Sequence, residues 1–369
     1  MDWREVLFED LISAAKDSSV VTLDVMDVTL RRGQAKVSKE VATGLQGLEA
    51  VAKSVGRHIA FSTKGPCSEL AEVIRAITGS EPLDFSNMVE MELSSGDEHY
   101  RLRQYPKVKF PGLNVFGVYA NGGVFVFFDK QGVYTELDLM DPESVKPARR
   151  LTETASKSNI LGGAMRKYRT PYPAGYLVIT LPTNQDTKLY MDQLESALRS
   201  MIEGLEMSAY LKVSRKESFR LYVEPKKQKN GEELNKYNGL KLGASQAAVL
   251  GGLGFGIDGN IHVADNIKSE SELIMLKEAK LGVEVTNDPE NVLRLVKGLP
   301  PILYVRDGPE ALKEVTLALS LARPEIASQV HGQLRRMGYN GRESAGIPWN
   351  IARAYVLEAV CATDTDKVQ

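Results

Sequence analysis

The chain has 369 residues, 43% hydrophobic and 25% charged, with 46 lysines and arginines against 48 aspartates and glutamates, a formal net charge of −2. That length exceeds one minimal domain, and the near-neutral balance supplies no overall field to attract nucleic acid or an anionic membrane. The two cysteines, Cys67 and Cys361, stand far apart without metal-ligand spacing, which argues against a disulfide framework and for a reducing, cytoplasmic setting.

At the N-terminus, "MDWREVLFEDLISAAKDSS" lacks a basic region followed by an apolar one, and no later stretch reaches the roughly 20 apolar residues of a spanning helix, so neither secretion nor membrane embedding is expected. Trp3, Val6, Leu7, Leu11 and Ile12 recur at helical spacing, so an amphipathic helix leads into a buried strand at 20–26. "VATGLQGLEAVAKSVGR" reads as a helix, "HIAFST" as a short buried strand and "SELAEVIRAIT" as a further helix. Alternation of this kind predicts a parallel sheet covered by helices. The run "GVYANGGVFVFFDKQGVYTEL" breaks the rhythm, because Asn121-Gly122-Gly123 is hairpin chemistry. From about 133 to 228 a small α+β insert is expected, with the long helix "TKLYMDQLESALRSMIEGL" and strands "YLVITL", "AYLKVS" and "FRLYVEP". The polar stretch "KKQKNGEELNKYNG" reads as a return linker, after which "ASQAAVLGGL", "NIHVAD", "SESELIMLKEA", "GVEVT", "PILYV" and "PEALKEVTLALSLA" resume the αβ alternation. The expected class is therefore α/β, a doubly wound parallel-sheet core spanning 1–132 and 229–322, interrupted by an α+β cap at 133–228 and followed by a helical extension at 323–369. Trp349 and Tyr355 give that extension enough apolar area to dock.

Ligands of a doubly wound sheet sit outside the carboxyl ends of the strands. Those ends carry Asp24 and Asp27 with Thr29, then Ser62, Thr63 and Lys64, then Asp265 and Asn266, while Lys241 precedes the last of these strands. Two aspartates, hydroxyls, a lysine and a distant acid are the parts of phosphoryl transfer through an aspartyl-phosphate. In that chemistry one of the two aspartates attacks phosphorus and the other shuttles the leaving-group proton, the nucleophile and the distant acid Asp265 hold Mg2+, and Lys241 with the hydroxyls offsets charge on the equatorial oxygens.

The segments "LDVMDVTL", "IAFSTKG", "LKLGAS" and "IHVADN" fall in the order of the four motifs of haloacid-dehalogenase-type phosphatases, and Lys241 stands 24 residues before Asp265, close to the interval that family uses. The chain resembles this family over roughly 18–320, and "FGVYANGG" with "LYVEP" is similar to the trehalose-6-phosphate phosphatases of the capped subgroup. The resemblance implies an Mg2+-dependent phosphomonoesterase acting on a small-molecule sugar phosphate. Substrate contacts would come from Thr29, Ser62, Thr63 and Lys64, and Asn266 would join Asp24 and Asp265 at the metal. Nothing in it sets an oligomeric state. The sequence departs from the pattern where Asp24 and Asp27 are three residues apart instead of two, where Val28 replaces a glycine, and where Asn266 replaces an acid. If Val25 took the place of the nucleophile, the chain would be a degenerate relative that binds a phosphorylated ligand or a protein partner without turnover. If Asp24 holds the end of the strand, the chemistry survives.

Remaining features have plainer readings. Gly254 to Gly259 fits G-x-G-x-x-G, but it follows a helix and precedes a strand, the wrong context for a dinucleotide loop. His58, His99 and His331 lack zinc-ligand spacing, and His262, within the strand "NIHVAD", reads as a packed or sheet-face histidine. Arg166, Lys167 and Arg169 read as a solvated basic loop.

Overall fold

The computed structural model describes residues 6–31, 34–64, 67–95, 98–119, 123–170, 177–182, 187–216, 220–251, 256–257, 259–265, 270–286, 299–339 and 346–365. Helix α1 (Phe8–Asp17) feeds β1 (Val20–Asp24), followed by α2 (Lys39–Ser54), β2 (His58–Thr63) and α3 (Cys67–Thr78). Five strands follow, β3 (Val89–Ser95), β4 (Glu98–Lys109), β5 (Val115–Tyr119), β6 (Val124–Phe128) and β7 (Val133–Asp138). Next come α4 (Pro142–Lys157), α5 (Asn159–Tyr168), β8 (Arg169–Thr170), β9 (Leu177–Thr180), α6 (Thr187–Gly204), β10 (Leu211–Lys216) and β11 (Arg220–Pro225). The chain then alternates through α7 (Lys236–Gly251), β12 (Ile261–Ala264), α8 (Glu270–Lys277), β13 (Leu281–Val285), β14 (Ile302–Val305) and α9 (Gly308–Ser320), and ends in α10 (Pro324–Arg336) and α11 (Trp349–Thr365).

Ten strands form one sheet in the order β14-β13-β12-β1-β2-β5-β6-β7-β4-β3. The first six run parallel, and from β5 onward every pair is antiparallel. The hairpin expected around Gly123 joins β5 to β6, and Gly123 adopts a φ of 54° that suits glycine, while Asn121 and Gly122 lie outside the described residues. Strand β7 pairs with both β6 and β4 in this large sheet. The inserted unit thus starts at Pro142, not at 133, because β7 completes the antiparallel half before the chain departs. Its sheet, β10-β11-β9-β8, is antiparallel and has its own core with α4, α5 and α6.

Burial on both faces of the large sheet follows from strand alternation. Val21, Leu23 and Val25 point into the core shared with α1, α2, α3 and α9. Val20 points the other way, beneath α7, and Thr22 and Asp24 share its side by the period of two. Helices α2 and α9 start on side-chain caps: Ser38 accepts from the Val41 amide and Asp307 from the Glu310 amide. The C-terminal helices, which the αβ alternation did not require, complete the larger core. Ile326, Val330, Leu334, Trp349, Ala352 and Val356 are buried in it, and the Trp349 indole donates to Glu314 at 2.8 Å. Among the described residues no helix is long and apolar enough to cross a membrane.

Candidate active site

Asp24 closes β1 at its carboxyl end, in register with Ser62 at the end of β2. The next residue, Val25, still donates its amide to the Ser62 carbonyl at 3.0 Å, but its side chain is fully buried in the apolar core. The strand-end position therefore belongs to Asp24. The extra residue between the two aspartates is absorbed by a tight turn. Asp27 takes a left-handed φ of 58°, tolerated by aspartate far better than by branched residues, and its amide donates to the Leu30 carbonyl. Leu30 and Thr29 both return their amides to the Val25 carbonyl, and the Thr29 hydroxyl donates to that same oxygen at 2.9 Å. Thr29, expected at the substrate, is buried and spends its hydroxyl on closing the turn.

The lysine at this edge is Lys236, not Lys241. Lys236 is the first residue of α7, 3% exposed, and its ammonium lies 2.8 Å from Oδ2 of Asp24 while also pairing with Glu272. Lys241 stands five residues on, about 140° around the helix. It is exposed, with its ammonium 5.9 Å from the Tyr237 ring. Close approach of α7 to the sheet is what delivers Lys236. A Cβ on Gly239 would meet Val118 at 2.9 Å, and one on Gly243 would meet Phe125 at 2.2 Å. Lys236, Gly239 and Gly243 fall at i, i+3 and i+7, on one face of the helix. That in-phase pair of glycines is the sequence signal that distinguishes Lys236 from Lys241.

Charges at the edge are mutually adjusted. Burial and the nearby Glu272 outweigh the pull of Lys236 and place the Asp24 carboxyl at about 6, so it is largely ionised at neutral pH. Burial also opposes the charges of Lys236 and Glu272. Asp24 and Glu272 nevertheless raise the lysine above its ordinary value, and Lys236 and His262 hold the Glu272 carboxyl below its own. Asp265, just past β12, is raised to about 7 by burial and then by the charges of Asp24 and Asp27. Asn266 lies outside the described residues.

Ser62 is fully buried, and its hydroxyl has no hydrogen-bond partner among the described residues, an unmet polar group beside Asp24. The Thr63 hydroxyl donates to Glu69 at 2.8 Å. Burial lowers the Lys64 ammonium, with Glu224 of β11 the largest opposing influence. Burial raises the Glu69 carboxyl, and Arg220 of β11 counters it. The small sheet thus brings the polar side of β11 to this edge. Ser214 of β10 stands in register with Tyr222, and the Ser214 hydroxyl and Oε1 of Glu224 are buried with no partner among the described residues. Glu224 and Arg220 gave no sequence signal beyond the alternation of "FRLYVEP". Arg166 and Lys167 are exposed, but they belong to the last turn of α5, and Arg169 to β8, not to a loop as the sequence suggests.

Among the described residues no three histidine, cysteine, aspartate or glutamate side chains are grouped to hold a metal ion. The donors that suit a hard cation are Asp24 and Asp265, whose mutual repulsion it would relieve. Mg2+ is commonly bound by one or two carboxylates, with water and substrate phosphate completing its octahedron.

No family model matches the sequence, and no curated protein matches it. Solved structures with a similar course of chain include an IMP-nucleotidase of Plasmodium falciparum (11% identity, TM-score 0.44, 84% of this chain and 70% of that one). A second is TM0651 from Thermotoga maritima (15% identity, TM-score 0.45, 80% of this chain and 97% of that one). A third is a protein of Geobacillus kaustophilus (12% identity, TM-score 0.42, 82% of this chain and 99% of that one).

Proposed function

We propose that this chain is a phosphomonoesterase that works through an aspartyl-phosphate on Asp24, with a sugar phosphate such as trehalose-6-phosphate as substrate. The observation that carries this reading is the buried Asp24 carboxylate at the carboxyl end of a parallel strand, 2.8 Å from the Lys236 ammonium and in register with Ser62, whose hydroxyl has no partner among the described residues. Asp24 would attack phosphorus and form the Asp24–phosphate bond as the bond from phosphorus to the sugar oxygen breaks. That oxygen takes a proton from Asp27. Asp27, now ionised, accepts a proton from water as the water attacks phosphorus, and phosphate departs with Asp24 restored. Lys236 and the Ser62 hydroxyl face the charge that gathers on the phosphoryl oxygens. Mg2+, held by Asp24 and Asp265, would supply further positive charge there. The unmatched polar atoms of Ser214 and Glu224, with Lys64 and Arg220 nearby, support a hydroxyl-rich leaving group, and the small α/β unit would act as the cap that selects it.

The test is phosphate release from a panel of sugar phosphates and nucleoside monophosphates in Mg2+, with Asp24→Asn, Lys236→Met and Lys241→Ala beside the wild type. The proposal expects turnover that is lost in the first two variants and kept in the third. Silence across the panel, with inorganic phosphate still raising the thermal midpoint, would replace the enzyme by a protein that binds phosphorylated ligands.

A further inference from the structure

Behind Lys236 lies a file of buried polar side chains that the phosphatase chemistry does not use. Oε1 of Glu272 takes a hydrogen bond from Lys236, and its Oε2 lies 3.0 Å from Nε2 of His262. Nδ1 of His262 lies 2.8 Å from the Thr22 hydroxyl, and the Asn260 side-chain amide donates to that hydroxyl at 2.6 Å. Glu272, His262, Thr22 and Asn260 are all at most 2% exposed. The hydroxyl of Thr22 is 3.3 Å from the Ile261 carbonyl, farther than from the histidine. The Glu272 carboxylate can only accept, so Nε2 of His262 carries a proton, and the file runs unbroken from Asn260 through Thr22 and His262 to Glu272.

Four elements converge to build this file: Thr22 and His262 are paired residues of β1 and β12, Asn260 precedes β12, and Glu272 comes from α8. Burying so many polar groups costs stability unless each is matched, and an apolar filling would close the same space more cheaply. What the file provides is placement. Lys236 has two carboxylates in reach, and Glu272, fixed from behind, holds the ammonium between them. The ammonium meets Oδ2 of Asp24.

We propose that Glu272 is a positioning residue for the reaction at Asp24: anchored by His262 and Thr22, it sets the Lys236 ammonium against Oδ2 and leaves Oδ1 to meet phosphorus. This inference rests on the phosphatase reading for its catalytic consequence, and on the hydrogen-bonded file alone for the placement of the lysine.

Glu272→Asp keeps the charge and shortens the reach by one methylene, so the fold retains its ion pair while the lysine is displaced. The expected result is a fall in kcat of about 100-fold, the scale of an ångström's misplacement, with KM within about twofold of wild type. His262→Gln gives a smaller loss in the same sense. Adding it to Glu272→Asp costs nothing more, because both act through one contact. In 15N-lysine-labelled protein the buried Lys236 ammonium gives a slowly exchanging proton signal that Glu272→Asp shifts or removes. Wild-type kcat in Glu272→Asp, or an unchanged Lys236 signal, overturns the proposal. If the wild type releases no phosphate from any substrate, the phosphatase reading fails by itself, and the lysine signal still decides whether Glu272 places Lys236.

Discussion

One sheet carries buried charge in two different ways. In its antiparallel half, the buried Glu136 accepts from Arg103 at 3.3 Å and from the Tyr105 hydroxyl at 3.2 Å, beside edge-to-face contacts among Phe85, Tyr105, Tyr134 and Phe128. Both donors meet Oε2 and come from the neighbouring strand, although burial still raises the carboxyl above its ordinary value. At the carboxyl edge of the parallel half, two buried carboxylates share one lysine, Asp265 adds a third carboxyl nearby, and Ser62 has a hydroxyl without a partner among the described residues. The first arrangement is finished by folding. The second is electrostatically incomplete, and a site that awaits an anion and a cation has that property.

Four substitutions or conditions separate the halves, in order of their effect on stability. Lys236→Met strands Asp24 and Glu272 without their counter-charge and should cost about 3–5 kcal/mol, read by urea denaturation, together with loss of turnover. Phe128→Ala, on the antiparallel side, should cost a similar amount, about 3–5 kcal/mol by loss of packing, yet leave the kcat of the folded protein intact. A loss of kcat there would erase the distinction between the halves.

The third effect is one of pH. Asp24 at about 6 and Asp265 at about 7 bind protons more tightly in the folded chain than an ordinary aspartate at 3.8. Between pH 4 and 7 the folded chain thus holds the extra protons, and on their account stability falls as pH rises through that window and levels above it. Glu272, held below its ordinary range, works oppositely: its contribution is present above about pH 4.5 and lost on further acidification. In EDTA the thermal midpoint should therefore be higher at pH 5.5 than at pH 8, and Mg2+ should raise it more at pH 8. A larger Mg2+ effect at pH 5.5 would count against Asp24 and Asp265 as the cation's ligands.

Ser62→Ala has the smallest stability effect, within about 1 kcal/mol and in the stabilising direction, since it deletes an unmet hydroxyl. Its kcat/KM should nonetheless drop about 10- to 100-fold, the value of a hydrogen bond to a charged group. Unchanged kinetics would mean that the hydroxyl awaits nothing.

The two halves were also unequally legible in the sequence. Apolar runs bounded by turn residues gave β1, β2, β12 and the helices between them, and the placement of Asp24 and Asp265 at strand ends came with them. The start of α7 did not, because "NKYNG" is polar and glycine-bearing, and such a stretch looks like linker until the sheet beneath it is known. Lys236 lies inside that stretch, and the 24-residue interval to Asp265 points to Lys241. The edge of the insert was misplaced for a related reason. A run such as "GVYTEL" shows that β7 is a strand but not which sheet it joins, since pairing depends on partners distant in sequence. Glu272 was invisible for want of any local pattern, its role being defined by a histidine and a lysine on other elements.

The pairing of Thr22 with His262 joins residues 240 positions apart. At synthesis rates of about 5–20 residues per second, β1 waits roughly 10–50 s for the neighbour that completes its second edge. Throughout that interval its unpaired flank is exposed to other nascent chains, and Asp24 lacks Lys236, Glu272 and Asp265, all of which lie in the later part of the chain. Asp24 is therefore among the first residues of this edge to be made and meets its charged neighbours only when the last parallel strands dock.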